Sequence, residues 1–191
     1  MGHIGRAKAL STIESVRNRR HDVLVMVRDL SDLASCMAAA GNIVAAAKAD
    51  AEALLTDREE TERADMMLAL GSGVEGKGVK RVTKAAMKDL EDRQTARRNR
   101  AVRDELDRVL VDLLAWFRDV LVLQQEAPVD LVNEEMRGDL ARMADESSSA
   151  DTMARFTAIR DARAALGMNV APQLAMEAMV VKLRAPGLAG H

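Results

Sequence analysis

Apolar residues recur every three or four positions along two long stretches of this 191-residue chain. In the first stretch they are Leu33, Met37, Ala40, Val44, Ala47, Ala51 and Leu54. In the second they are Val102, Leu106, Val109, Leu110, Leu113, Phe117 and Val120. Steps of three and four place these side chains on one face of an α-helix, so the pattern predicts two long amphipathic helices.

Shorter helical patterns lie before and after the two long ones, over residues 16–30, 129–144, 151–166 and 169–183. Ala127-Pro128 ends the second long helix, because proline lacks an N–H and disfavours helix before it. Asn169 suits the N-cap of the final helix, with Pro172 in its first turn. Strong helix formers dominate and no β-branched alternating run occurs. The predicted fold class is therefore all-α: a bundle of five to six antiparallel helices, two of them long.

The cellular compartment follows from the single cysteine and from the absence of long apolar runs in the sequence. Cys36 has no partner for an intrachain disulfide, and its place on an apolar helical face predicts a buried structural thiol. No apolar run approaches the ~20 residues of a membrane span. The first residues also lack the apolar core of a signal peptide. We therefore expect a cytoplasmic protein without a membrane partner.

Four glycines fall within the eight residues from Gly71 to Gly78, GSGVEGKG. This composition predicts a flexible loop over residues 71–79 between the two long helices. The letters come close to the phosphate-binding pattern G-x-x-x-x-G-K-[ST]. That site needs a strand before the loop and a hydroxyl residue where Gly78 stands, so a linker is the favoured interpretation.

No group of residues in the sequence has the spacing of an active site or a metal centre. His3, His21 and His191 are far apart, and no metal-ligand spacing joins them to Cys36. Carboxylates are abundant, but on a helix-rich surface they usually pair with lysine and arginine. We expect no catalytic residue, no metal, no cofactor and no small-molecule substrate for this chain.

The stretch from Lys77 to Arg103 is strongly basic, with ten lysines and arginines against three acidic residues. The whole chain has a net charge of -2, so this positive charge is local. Clustered cations can release counterions from nucleic acid. The candidate contacts with phosphate or with a partner are Lys80, Arg81, Lys84, Lys88, Arg97, Arg98 and Arg100. A solvated helix face and docking to an acidic neighbouring subunit are the alternative interpretations, and the lack of interleaved aromatics gives no support for base stacking.

Three segments, in this order, resemble the delta-prime family of bacterial clamp-loader subunits, in its actinobacterial form. The first is similar to the sensor-2 segment at the end of an AAA+ module: Gly2-His-Ile-Gly5-Arg6-Ala7. The second comprises Leu90-Glu-Asp-Arg-Gln94, followed by Arg97, Arg100 and Arg103, then Leu106-Asp-Arg-Val-Leu-Val-Asp112 and Phe117-Arg-Asp-Val120. The third resembles the N-x-x-P-x-L-x-x-E opening of the last collar helix: Asn169-Val-Ala-Pro172-Gln-Leu174-Ala-Met-Glu177.

The resemblance covers nearly the whole chain and implies a non-catalytic helical collar, the C-terminal part of a subunit of the DNA polymerase III holoenzyme. It implies assembly with delta and gamma/tau subunits into a ring that loads the sliding clamp on primed DNA during replication. Residues 1–12 would be the remnant of the AAA+ lid, 13–184 the collar and 185–191 a tail. The implied site residues are the sensor-2-like Gly2, Gly5 and Arg6, and the collar motif Asn169, Pro172, Leu174 and Glu177.

The sensor-2 segment bears on which family member the chain resembles. ATP-hydrolysing clamp-loader subunits carry an arginine at the fourth position of a G-x-x-R pattern, and Gly5 stands at that position here. Arg6 comes one residue later, about 100° around a helix. This departure favours the delta-prime type. A one-residue shift of the alignment would return Arg6 to the sensor role, so a gamma/tau-type subunit is one alternative. A freestanding helical nucleic-acid-binding module that uses the basic stretch is the other.

Overall fold

A computed structural model describes residues 14–70 and 77–184 of the chain. Within these residues the fold consists of six α-helices and one 3₁₀ turn, with no strand, which confirms the all-α class. The helices are α1 (Glu14–Arg28), α2 (Leu33–Ala69), α3 (Lys77–Gln124), α4 (Arg137–Glu146), α5 (Ser149–Gly167) and α6 (Pro172–Arg184). The 3₁₀ turn covers Glu134–Met136, directly before α4.

The chain divides into two compact units, and both boundaries fall inside the two long helices. The first unit takes in the described residues up to Val44 and from Leu106 onward. The second unit covers Ala45–Glu105, which comprises most of α2 and the first part of α3. The resemblance described above implied a single collar domain over residues 13–184.

The core of the first unit is built on the second part of α3. Its buried side chains include five of the seven positions predicted for that face: Leu106, Leu110, Leu113, Phe117 and Val120. Trp116 is also fully buried, and its indole N–H donates to the sulfur of Met143 at 3.4 Å. Leu24 of α1, Ile43 of α2 and Ile159 of α5 are buried as well. Each such aliphatic side chain contributes roughly 1.5–3 kcal/mol by leaving water.

Helix α2 lies beside α6 in the first unit. Cys36 is fully buried, with its sulfur 3.9 Å from the carbonyl oxygen of Val180, so the predicted buried thiol is confirmed. One turn further along α6, at its last residue, Arg184 donates from Nη1 to the carbonyl oxygen of Ser31 at 3.2 Å. Helix α6 also packs on α5.

Helix α5 ends in a turn that requires a left-handed residue. Asn169 has φ 61°, and its N–H donates to the carbonyl oxygen of Leu166 at 3.3 Å. The N–H of Val170 donates to Ala165 at 3.0 Å, which completes a Schellman motif. Asn169 therefore terminates α5, and its predicted role as N-cap of α6 is wrong. Pro172 does begin α6, where its missing N–H costs nothing.

The same motif ends α3. Glu126 has φ 48°, and its N–H donates to Leu123 at 3.2 Å while that of Ala127 donates to Val122 at 3.0 Å. Pro128 follows at once and prevents the helix from continuing. The break predicted at Ala127-Pro128 is thus confirmed.

The connection between α3 and α4 departs from the prediction of a helix over residues 129–144. The chain from 128 to 133 is irregular, and regular helix starts only at Arg137. Side-chain hydrogen bonds explain the difference, because Asp119 accepts the N–H groups of Val132 and Asn133. A helix over these residues would need both donors for its own backbone.

The second unit is formed by two helix segments that run antiparallel. The buried positions of α2 step by four residues through Ala47, Ala51, Leu55 and Glu59. Leu54, predicted for this face, is exposed because a step of four from Ala51 reaches Leu55 instead. The predicted face also fails at its start, where Leu33 is exposed. Helix α3 begins at Lys77, inside the loop predicted for residues 71–79.

Candidate functional site

The basic stretch lies on the first part of α3, largely within the second unit. The side chains of Lys80 and Arg81 lie outside the described set. Those of Lys84, Lys88 and Arg100 are exposed to solvent. These three cations remain available to an external anion.

Arg97 and Arg98 instead contact carboxylates of α2. Arg98 donates from Nε at 2.7 Å and from Nη2 to the same oxygen of Glu59, whose side chain is 2% exposed. Arg97 donates from Nη1 to the carboxylate of Glu62 at 2.9 Å. This hydrogen bond is the main reason that the pKa of Glu62 falls to about 2.

Gln94 completes a polar cluster with these two ion pairs. Its buried amide donates to the carbonyl oxygen of Glu59 at 3.1 Å and to the carboxylate of Glu62 at 3.3 Å. Its side-chain oxygen accepts from Nε of Arg63 at 3.1 Å. We call Glu59, Glu62, Gln94, Arg97 and Arg98 the polar cluster.

The acidic residues that balance the basic stretch lie on the facing helix. Between residues 45 and 69, α2 carries seven acidic residues and three basic ones. The positive charge of α3 therefore has a countercharge within the second unit. Any phosphate at Arg97 or Arg98 would have to compete with Glu62 or Glu59.

The segment that resembles the collar motif lies at the turn between α5 and α6. Asn169 forms the left-handed turn and Pro172 starts α6. Leu174 is 59% exposed, and Met168 on the other side of the turn is 72% exposed. Glu177 accepts a hydrogen bond from Nε2 of Gln173 at 2.7 Å. The motif thus presents apolar surface rather than a set of converging polar groups.

The sensor-2-like residues Gly2, Gly5 and Arg6 lie outside the described residues, as does the tail 185–191. The central part of the glycine loop, residues 71–76, does so too. The structure describes the elements on either side of the loop: helix α2 precedes it, and α3 starts at Lys77. A phosphate-binding loop would need a strand in the place of α2.

Asp119 is a fully buried carboxylate whose contacts the sequence did not predict. Its Oδ1 accepts from the N–H of Val132 at 3.1 Å and from Nη1 of Arg118 at 2.7 Å. Its Oδ2 accepts from the N–H and from Nδ2 of Asn133, each at 2.7 Å. Burial favours a raised pKa for Asp119, but these hydrogen bonds outweigh it and lower the pKa below the ordinary value.

Arg20 extends this network to α1. Its guanidinium donates to Oδ1 of Asn133 and lies 3.4 Å from the carboxylate of Asp112. It also lies 3.5 Å from that of Glu135. No spacing in the sequence signals this arrangement, because several of the partners are backbone groups or residues about a hundred positions apart.

Neither a metal site nor a membrane span is found in the part of the chain that the structure describes. No three or more of its His, Cys, Asp and Glu side chains are grouped so as to hold a metal ion. None of its helices is both long and apolar enough to cross a membrane. Comparison with known proteins finds no matching family model, no matching curated protein and no matching solved structure.

Proposed function

We propose that this chain is a non-catalytic assembly domain, the helical collar of a clamp-loader subunit of delta-prime type. The observation that supports the proposal is the exposure of apolar side chains on α6 outside the face that packs into the first unit. One face packs into the first unit, with Ala175, Met176, Met179, Val180 and Leu183 buried. Outside that face, α6 exposes Leu174 and Ala178 together with the polar Gln173 and Arg184, and Ala171 is exposed directly before the helix.

Exposed apolar side chains grouped on a surface helix are expected where a partner covers that helix. Spacings of three and four residues place Leu174 and Ala178 in line with Ala171, the residue before α6. Met168, at the C-terminal end of α5, is a further exposed and flexible apolar side chain near the start of α6 in the sequence. Burial of Leu174 alone would contribute roughly 1.5–3 kcal/mol to association.

In this proposal the chain acts by holding delta and gamma/tau subunits in one assembly. The sliding clamp and primed DNA are contacted through the complete complex. The domain itself needs no cofactor and no small-molecule substrate. The support lies in the coincidence of two features: Ala171 and Leu174, both exposed, fall within the segment that resembles the opening of a collar helix.

Size-exclusion chromatography with light scattering tests the proposal. The purified chain is mixed with the delta and gamma/tau subunits of the same organism, and co-elution at the mass of a mixed complex is expected. Leu174→Glu combined with Met168→Glu should abolish co-elution. Met153→Glu is the matched control, because Met153 is 53% exposed on α5. Elution of the correctly folded wild-type chain alone would contradict the proposal.

The two alternative functions have less support. A nucleic-acid-binding module would use the basic stretch, but Arg97 and Arg98 are hydrogen-bonded to Glu62 and Glu59. A gamma/tau-type subunit would depend on Arg6, which lies outside the described residues. Salt-sensitive DNA binding that weakens with Lys84→Ala and Lys88→Ala would favour the first alternative.

A further inference from the structure

The irregular segment 126–133, which we call the α3–α4 loop, is held by polar side chains rather than by apolar packing alone. Asp119, fully buried, accepts hydrogen bonds from the backbone of Val132 and Asn133. Arg118 donates from Nη1 to the carbonyl oxygen of Asp130 at 2.7 Å. Three backbone groups of the loop are thereby fixed by two adjacent residues of α3.

The same loop directs apolar side chains to solvent. Val129 is 52% exposed and Val132 is 56% exposed, and Asp130 between them is exposed as well. Fixing a loop has a conformational entropy cost of about 1–2 kcal/mol per residue. Packing of these two valines into the core does little to offset that cost, since about half of each side chain stays in water.

The surroundings of the α3–α4 loop are acidic. Arg118 and Arg20 reach the carbonyl oxygen of Asp130 and the carboxylate of Glu135 from α3 and α1. Residues 126–139 themselves contain five carboxylates and one arginine. That arginine, Arg137, is already bound by Glu134 through two hydrogen bonds of 2.6 and 2.9 Å. Glu126 and Asp130 are exposed at the loop itself. Such a surface repels phosphate and attracts lysine and arginine.

We propose that the α3–α4 loop is a preorganised docking surface for a basic, aliphatic segment of a neighbouring clamp-loader subunit. The aliphatic side chains of that segment pack on Val129 and Val132, and its cations meet Glu126 and Asp130. This inference rests on the proposed function and adds a second surface to α6. A loop that is already ordered binds without the entropic cost of ordering, which is the role of Asp119 and Arg118 here.

Surface plasmon resonance with the immobilised full chain tests the inference. The probes are the purified delta and gamma/tau subunits. Two variants remove the two kinds of contact: Val129→Ser with Val132→Ser, and Glu126→Lys with Asp130→Lys. Each variant should raise the Kd by about tenfold or more. Glu126→Lys with Asp130→Lys should also make the association rate less dependent on salt concentration.

Matched controls separate the loop from the rest of the first unit. Met153→Ser and Asp145→Lys replace exposed residues of the same kinds on α5 and α4, and they should leave the Kd within about twofold of wild type. Circular dichroism should show an unchanged helical spectrum for every variant. Arg118→Met tests preorganisation: it removes the bonds to Asp130 and Asp119 without replacing the exposed side chains of the loop, and binding should weaken severalfold.

The outcomes distinguish this inference from the function on which it rests. If the folded wild-type chain binds neither subunit, the proposed function and the docking surface both fail. If the wild-type chain binds and both loop variants bind equally well, the docking surface alone is overturned. If the loop variants weaken binding but Arg118→Met does not, the surface stands and preorganisation is overturned.

Discussion

Arg98 donates two hydrogen bonds to one carboxylate oxygen of Glu59, across the two helices of the second unit. Glu59 occupies a buried position in line with Ala51 and Leu55, where an apolar side chain would be expected. Its other oxygen is buried and has no hydrogen-bond partner among the described residues. Arg98 therefore offsets most of the cost of keeping this charge out of water.

Removal of Arg98 alone should be far more damaging than removal of the pair. We expect Arg98→Met to destabilise the second unit by about 2 kcal/mol, because it leaves the carboxylate of Glu59 buried without a cation. The double variant Glu59→Leu with Arg98→Met should recover most of that loss. Thermal unfolding followed by circular dichroism measures both, and additive losses would contradict this account.

The carboxyl group of Glu62 should titrate at unusually low pH. Its pKa is about 2, mainly through the hydrogen bond from Arg97, with further contributions from Arg58 and Gln94 that burial opposes. Arg97→Met should move this pKa up towards the ordinary value of about 4.3. A pH titration of the side-chain carboxyl carbon by NMR checks the shift. Arg100→Met, which replaces an exposed arginine on the same helix, is the control and should leave the pKa of Glu62 unchanged.

Asp119→Asn should destabilise the first unit by about 3 kcal/mol, because a neutral amide cannot accept all four hydrogen bonds that the carboxylate accepts. Its NH₂ group would also face the donors of Asn133. Urea unfolding followed by circular dichroism measures the loss. Asp145→Asn, an exposed position on α4, should change stability by less than about 0.5 kcal/mol. Equal effects of the two substitutions would show that the network around Asp119 contributes little.

The contribution of Asp119 should also depend on pH in one direction. The folded-state pKa is lowered, so the unfolded chain takes up the proton first as pH falls. The stabilisation is fully present above the unfolded value of about 3.9 and is lost as pH drops through the folded value. The difference in stability between wild type and Asp119→Asn should therefore be constant near neutral pH and shrink in acid. A difference that grows as pH falls would contradict the assigned direction.

Glu126→Gly should stabilise the chain by roughly 0.5–1 kcal/mol. A left-handed residue other than glycine has a steric cost of roughly 1–2 kcal/mol, part of which the flexibility of glycine in the unfolded chain cancels. Glu126 is exposed, so the substitution removes no buried contact. Glu52→Gly, in the exposed middle of α2, is the control and should destabilise by about 1 kcal/mol. Chemical unfolding measures the free energy of unfolding of both variants, and a destabilised Glu126→Gly would contradict this account.

Much of the fold could be predicted because apolar periodicity and chain-breaking residues act locally. Leu106, Leu110 and Leu113 are buried as their spacing requires, and Pro128 ends α3 where it stands in the sequence. The predicted face of α2 is correct at its centre and fails at Leu33 and Leu54. At these ends a single step of three or four residues decides which side chain faces inward. Six α-helices in the described residues agree with the predicted five to six, while their arrangement as an antiparallel bundle stays a prediction.

The polar groups could not be predicted, because their partners are distant or belong to the backbone. Glu59 and Gln94 occupy buried positions, yet their residue types indicate a solvated surface. Their burial depends on Arg98 and Arg63, which approach only after the helices have paired. Asp119 likewise satisfies backbone donors in a segment whose sequence suggested a helix. The exposure of apolar side chains on α6 could not be predicted either, because alanine and leucine suit a core as well as an interface.

Tryptophan fluorescence reports on the first unit and not on the second, because Trp116 lies in the first. It is the single tryptophan of a chain that contains no tyrosine, and it lies fully buried beside the sulfur of Met143. Residues 45–105 contain no aromatic side chain of any kind. Indole emission therefore follows the first unit alone, while far-ultraviolet circular dichroism follows the helices of both. One unmodified sample can thus reveal whether the two units melt together or in sequence.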